Sequence, residues 1–186
     1  MGEMKYCMEC GTALEKRLCG DEGLVPYCPK CEQFRFPVFN CAIITAVLNP
    51  EKNKILLIKQ YGRPFYILVA GYVNKGENAE HALYREVQEE LGLDVTAHHF
   101  MRSQYFEGSN TLMLNFACVA DSEDLSGMTK EVDSAKWFTF EEALKNIKQG
   151  SLAHFFLRFI VEQLESPQGM TFLPGTGTVY SEPYHM

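Results

Sequence analysis

From residue 37 onward, apolar positions fall into short runs whose period changes along the chain. Cys41 to Leu48 is an almost unbroken apolar run, and Lys54 to Lys59 and a segment around Phe65 to Ala70 follow the turn residues Asn49-Pro50. Runs of this length, rich in branched residues and bounded by turn formers, predict buried strands. The period then lengthens. Ala82, Leu83, Val87 and Leu91 recur at helical spacing, which predicts a helix from about Ala79 to Leu91 with Glu77 or Asn78 at its N-terminus. Strands are expected again at Thr96 to Gln104, Thr111 to Ala120 and Lys136 to Thr139, with an exposed acidic loop at Asp121 to Asp124. Thr139 and Glu142 form a capping box for a helix from Phe140 to Gln149, which Gly150 stops. A last helix from about Leu152 to Glu165 carries Phe155, Phe156, Phe159 and Ile160 on or near one face, a stripe suited to core or interface. Strands interleaved with these helices give an α/β sandwich.

Residues 166–186 are rich in Gly, Pro, Ser and Thr without periodicity, so an extended or mobile tail is expected unless a partner subunit orders it. The first 36 residues hold only short segments that cannot bury a core. The chain therefore divides into a small module at 1–36, a main domain at 37–165 and a tail at 166–186.

The small module carries Cys7-x2-Cys10 and Cys28-x2-Cys31, separated by seventeen residues. That spacing is the one expected of a zinc ribbon, in which four thiolates close a tetrahedral structural site. Gly11 supports a tight knuckle and Pro29 stiffens the other. Cys19 is a spare thiol on this reading, and Cys41 and Cys118 lie in apolar runs that suit a core.

The helix at 79–91 concentrates acid. Glu86, Glu89 and Glu90 fall within an arc of roughly 100°, close enough to hold a hard divalent cation through oxygen ligands. Like charges at such spacing destabilise a helix unless a cation neutralises them. Gly71 and Gly76 precede it in a loop free to approach a phosphate closely. Arg85 pairs with Glu89 one turn away.

With 186 residues, 46% apolar and 22% charged, the chain reads as an ordinary globular protein, and its net charge of −7 argues against a general nucleic-acid binder. No apolar run approaches the roughly 20 residues of a membrane span, and the first residues lack a secretory pattern, so a cytoplasmic location is expected. The histidines add little, since His98 and His99 are adjacent on a strand and point to opposite faces.

Residues 71–93 match G-x5-E-x7-R-E-U-x-E-E-x-G-U, with U a bulky aliphatic, at every fixed position. This pattern resembles that of the Nudix hydrolases. The resemblance implies an α/β/α sandwich with a mixed sheet and hydrolysis of a nucleoside diphosphate linked to another moiety. It also implies magnesium or manganese held by Glu86, Glu89 and Glu90, with any of several glutamates as the base. A four-cysteine ribbon directly before such a domain resembles the NADH pyrophosphatase branch. That branch carries S-Q-P-W-P-F-P-x-S-L-M after the box, and here the stretch runs Ser103-Gln104-Tyr105-Phe106-Glu107-Gly108-Ser109-Asn110-Thr111-Leu112-Met113. Both ends survive and all three prolines are gone.

On this resemblance Ser103, Gln104, Phe106, Gly71, Tyr72 and Ala153 contact substrate, with Tyr72 packing against the nicotinamide. Glu131, before Trp137, resembles a glutamate that reaches the metals from outside the box. NAD(H), cleaved to AMP and nicotinamide mononucleotide, is the first expected substrate. ADP-ribose or another nucleoside diphosphate sugar is the alternative, an NAD-capped RNA 5′ end is compatible with the same site, and a non-catalytic nucleotide sensor or RNA-binding module is the reading from another class. A homodimer is also implied.

Overall fold

The computed structural model of the protein describes residues 4–175. The chain forms two compact units, one ending at Asn40 and the other starting at Cys41. In the first, strands β1 (Glu15–Leu18), β2 (Leu24–Cys28) and β3 (Gln33–Phe34) make an antiparallel sheet in the order β1-β2-β3. Among the described residues its buried apolar positions are Cys7, Val25 and Cys28, too few to fold a module of this size without cross-links or metal.

The second unit contains β4 (Asn40–Leu48), β5 (Lys54–Gln60), β6 (Val69–Tyr72), α1 (Ala79–Leu91), β7 (Val95–Phe106), β8 (Thr111–Ala120), β9 (Val132–Thr139), α2 (Phe140–Asn146), α3 (Leu152–Leu164) and β10 (Leu173–Pro174). Among the described residues the sheet runs β10-β7-β8-β4-β5-β9, with β6 also paired to β4. Strand β4 is shared. Its last residues, Val47 and Leu48, face β5, while Ala42 to Thr45 face β6, so the sheet forks and β6 departs along its own edge. Both faces are covered, which is why β4 reads as a continuous apolar run. Ile43, Val47, Leu56, Ile58 and Val69 pack under α1 through Ala82, Leu83, Val87 and Leu91. On the opposite face Ile44, Leu48, Ile55 and Leu57 pack under α2 and α3 through Ala143, Phe156, Leu157 and Ile160. This is the α/β/α sandwich.

Several boundaries depart from the hydropathy pattern. Helix α2 stops at Asn146 because Ile147 turns extended and buries itself beside Tyr66, to which it is bridged. Strand β9 starts at Val132 rather than Lys136. It spends one additional residue against β5, since Lys59 faces Ser134 while Gln60 faces Val132, and the extra residue, Asp133, accepts the Gly62 N–H at 2.7 Å. Regular pairing of β6 begins at Val69, not Phe65. The start of the tail expected to be extended or mobile is extended and tied down: Leu173 and Pro174 pair with His98 and Ala97, Phe172 packs on the core, and the Thr171 carbonyl lies 2.6 Å from His99 Nδ1. Residues 176–186 of that tail lie outside the described residues.

Candidate active site

Helix α1 is set by its caps. The Asn78 side chain accepts the His81 N–H at 2.9 Å, and Gly92, in the left-handed region, donates its N–H to the Gln88 carbonyl. The glycine-rich loop is held to this helix by Arg85. Its Nε and Nη2 donate to the two oxygens of Glu77 at 2.8 and 2.9 Å, Nη1 donates to Glu86 at 2.6 Å and Glu89 at 3.0 Å, and Nη2 also donates to the Tyr72 carbonyl at 2.9 Å. The Arg85 guanidinium holds the Glu77 carboxyl below the usual carboxylate range. Gly71 completes the cradle. A Cβ there would stand 1.9 Å from Glu86 Cδ, so only a residue without a side chain lets this carboxylate lie against β6.

Glu90, 4% exposed, is buried. One of its oxygens accepts from Gln60 Nε2, and the other, Oε2, is buried with no partner among the described residues. Burial pushes the carboxyl up to about 7; the Gln60 bond opposes this, and the charges of Glu86, Glu131 and Glu89 add to it. A buried carboxylate oxygen lacking a donor costs about 1–3 kcal/mol or more, which a bound cation would offset. Glu131 arrives from another direction. The Thr129 N–H donates to the Glu90 carbonyl at 3.1 Å, and the same loop runs so close to the end of α1 that a Cβ on Gly92 would stand 2.7 Å from Gly127 Cα. Two glycines thus admit the loop, and β9 leads away immediately after Glu131.

Arg85 and the carboxylates Glu86, Glu90 and Glu131 line a cleft of about 430 Å³. Of the residues singled out in the sequence, Gly71, Tyr72, Arg85, Glu86, Glu90 and Glu131 line it. Glu89 does not; its side chain is 58% exposed and turned to Arg85. The three box glutamates are not drawn together as a ready-made cage. Among the described residues, the group of three or more Cys, His, Asp or Glu whose ligand atoms all lie within 4.8 Å is the cysteine quartet. Arg85 takes Glu86 and Glu89, and Gln60 takes Glu90.

Ser103, Gln104, Phe106 and Ala153 also lie off the cleft. Ala153, in the first turn of α3, is buried in the core. The other three stand on β7, whose antiparallel register sets Phe106 opposite Thr111 and Gln104 opposite Met113. Strand β8 lies between β7 and β4, so the lining falls to Thr111 and Met113, together with Ser109. Tyr61 and Asn74 line the cleft as well and carry no motif that would have marked them.

In the first unit the Sγ atoms of Cys7, Cys10, Cys28 and Cys31 all lie within 4.8 Å of one another, and all seven cysteines are free. Burial raises the Cys7 thiol, but N–H groups of Glu9 and Cys10 and the Arg35 guanidinium outweigh it and bring the thiol down to about 6. Cys31 is pushed up to about 12, first by its bond with Cys10 and then by burial. Four thiols so crowded cannot all ionise without a cation. The donor set therefore fits a tetrahedral metal.

The NUDIX domain model matches residues 40–159. The chain belongs to the NUDIX family. Among curated relatives, the NAD-capped RNA hydrolase NudC of Stutzerimonas stutzeri is 25% identical over 94% of this chain and 62% of its own length. Human NAD-capped RNA hydrolase NUDT12 is 30% identical over 86% of this chain and 37% of its own. The chain thus spans less than two thirds of either relative. These likenesses agree with the NAD-diphosphatase-like branch that the ribbon and the box resemble. A crystal structure of a NUDIX hydrolase from Nitrosomonas europaea superposes with a TM-score of 0.63 at 22% identity, covering 86% of this chain and 92% of that one, and supports the NUDIX fold. No described helix is long and apolar enough to cross a membrane.

Proposed function

We propose that the protein hydrolyses the diphosphate bridge of NAD(H), releasing AMP and nicotinamide mononucleotide. The observation that carries this reading is one cleft lined by three carboxylates, Glu86, Glu90 and Glu131, and by two exposed tyrosines, Tyr61 and Tyr72. The names of the sequence relatives point the same way. Glu86, Glu90 and Glu131 would hold magnesium or manganese, with Glu89 at the rim. Such ions, when bound, polarise the phosphoryl group and lower the pKa of coordinated water.

The chain's own residues do the remainder. An oxygen of water forms a bond to one phosphorus, the bridging P–O bond breaks, and a carboxylate among Glu89, Glu90 and Glu131 takes the proton. Burial and the neighbouring carboxylates lift Glu90 in the metal-free protein, and a cation bound there would hold it ionised. Arg85 keeps Glu86 in place, and Tyr72 offers its ring to the nicotinamide, a stacking contact of about 1–3 kcal/mol. Zinc in the four-cysteine site is structural on this reading. A homodimer belongs to the same reading, with the exposed Phe155 of α3 as one apolar contact, and so does a cytoplasmic location.

The test is a panel of NADH, NAD, ADP-ribose, diadenosine polyphosphates and nucleoside triphosphates with magnesium or manganese. Cleavage of NADH or NAD to mononucleotides at the highest kcat/KM supports the proposal. Preference for ADP-ribose would move the substrate to the diphosphate sugars, a change that the altered 103–113 stretch would explain. Failure to cleave any of them would end the hydrolase reading.

A further inference from the structure

Among the described residues, the buried side-chain atoms without a hydrogen-bond partner are Glu90 Oε2 and both amide atoms of Asn115, Nδ2 and Oδ1. Glu90 lies in the cleft and is accounted for there by the metal it would hold. Asn115 is not accounted for. It is 0% exposed and stands on β8 between Met113 and Ala117, both members of the apolar cluster under α2 and α3. Its cross-strand neighbour on β7, Arg102, is turned over the Phe159 ring at 4.7 Å and does not reach it with a hydrogen bond. A carboxamide carries two donors and an acceptor, and burying them unpaired opposes folding in a way that an apolar side chain of the same size would not.

The amide belongs to the floor of the cleft. Alternation along β8 puts Thr111, Met113 and Asn115 on one face of the sheet, and unbroken pairing with β7 from Arg102 to Phe106 enforces that alternation. Thr111 and Met113 line the cleft, and so does Ala42 of β4, which packs in the same apolar cluster as Met113. Ala42 stands opposite Tyr72, so the Tyr72 ring shares this face, whereas Gly71 stands opposite Ile43 on the side where Glu86 and α1 lie. The cleft thus has carboxylates on one side of the sheet and an apolar floor with a tyrosine on the other. Asn115 lies on that floor about 7 Å beyond Met113 along the strand. Met113, 9% exposed, is the last lining residue before it, and its unbranched side chain re-seats easily.

Stacking on a tyrosine holds a base without identifying it. An amide does identify it, because adjacent donor and acceptor match a planar edge that presents an acceptor beside a donor. We propose that Asn115 reads such an edge on one base of the dinucleotide, taking its missing partners from the substrate when Met113 moves aside. The inference rests on the proposed reading of the cleft as a dinucleotide site. Both bases carry this chemistry, nicotinamide in its carboxamide and adenine in its amino group and the ring nitrogen beside it. A ligand lacking the edge leaves the amide unpaired, and that is what makes the position selective.

The experiment uses the full chain, isotope-labelled for NMR, with AMP and nicotinamide mononucleotide, which carry one base each and have no diphosphate bridge to cleave. The Asn115 side-chain amide signals are identified by their loss in Asn115→Leu, and Asn115→Ala makes the same comparison without added bulk. One of the two mononucleotides should shift these signals and bind both variants about 10-fold more weakly than wild type, the loss expected for a pair of neutral hydrogen bonds. A shift by AMP assigns the edge to adenine, and a shift by nicotinamide mononucleotide assigns it to the carboxamide. Without ligand, Asn115→Leu should melt about 2–4 °C or more above wild type, because the unpaired groups are gone and the volume is kept.

Asn115 signals unmoved by either mononucleotide at millimolar concentration would overturn the proposal. So would a Leu variant that loses stability yet keeps wild-type affinity for both, the behaviour of an amide satisfied by internal water. Signals that shift with a mononucleotide, in a protein that leaves NADH and NAD intact, would uphold the subsite and remove the hydrolase reading instead.

Discussion

Gln60 donates its side-chain N–H to one oxygen of Glu90 and leaves the other oxygen, buried, as the free acceptor. Both residues are at most 5% exposed, so neither side chain can exchange this partner for water. The bond favours the ionised carboxylate against burial. Gln60→Met keeps the shape and removes the donor. A hydrogen bond to a charged group contributes about 1.5–3 kcal/mol, so the acidic limb of the pH–kcat/KM profile should move up by about one to two pH units. An unshifted profile would remove Gln60 from any part in poising Glu90.

The same carboxyl sets a pH dependence of stability. Its folded-state value, about 7, lies above the ordinary 4.5, so between these values the folded protein binds more protons than the unfolded chain. Stability is therefore full below about 4.5 and is lost as pH rises through about 7. Glu90→Gln abolishes this contribution. Without added magnesium or manganese, the variant should gain on wild type between pH 5 and pH 8 by at most about 3 kcal/mol in urea unfolding, and added magnesium should narrow the gap. A constant difference across that range would contradict the burial argument.

Gly71→Ala tests the cradle. The added Cβ meets the end of a side chain, the Glu86 carboxyl, rather than backbone. The protein should fold with a melting temperature close to wild type, because Glu86 can swing aside, but kcat should fall by about 100-fold or more once that carboxylate is displaced by an ångström or so. Activity near wild type would mean that the position of Glu86 does not matter.

How much of this was legible in the chain depends on the range of each signal. The α1 helix was readable because its apolar stripe, Asn78 and Gly92 are local, and the cysteine pairs were readable because metal ligation imposes short spacings. The choice among Glu86, Glu89 and Glu90 was not. All three share an arc of the helix, and only the approach of β6 at Gly71 and of Gln60 from β5 separates the two that enter the cleft from the one that stays in solvent. The 103–113 stretch marked the hairpin, and its Ser109, Thr111 and Met113 line the cleft, while register sets Gln104 and Phe106 opposite Met113 and Thr111 on the neighbouring strand. Ala153 sits on a helix face that periodicity assigns equally well to core. Gln60 and Tyr61 follow an apolar strand and belong to no motif, so register and a bulge at Asp133 had to place them.

Metal removal should act first on residues 4–40. A strong chelator, or Cys10→Ser, leaves a three-stranded module with three buried apolar residues and crowded thiols, too little to stay folded. One zinc per chain should be lost by elemental analysis, and limited proteolysis should open sites before Asn40 while the remainder resists. Persistent protection of that segment after complete metal loss would contradict a structural role for the metal.

Tyr61 has φ 58° and is followed by Gly62 at 66°, so an aromatic residue occupies the left-handed region while 74% of its surface is exposed. Neither burial nor packing compensates a conformation that costs a non-glycine residue about 1 kcal/mol or more. The Asp133 carboxylate holds the turn at Gly62, and the ring lines the cleft. Tyr61→Gly should therefore raise stability by up to about 1 kcal/mol, less the flexibility glycine adds to the unfolded chain, while KM for the dinucleotide rises and kcat changes little. If the ring rather than the hydroxyl meets the substrate, Tyr61→Phe should keep wild-type KM. If the glycine variant binds substrate as well as wild type, the strain at Tyr61 serves the turn alone and the ring has no part in recognition.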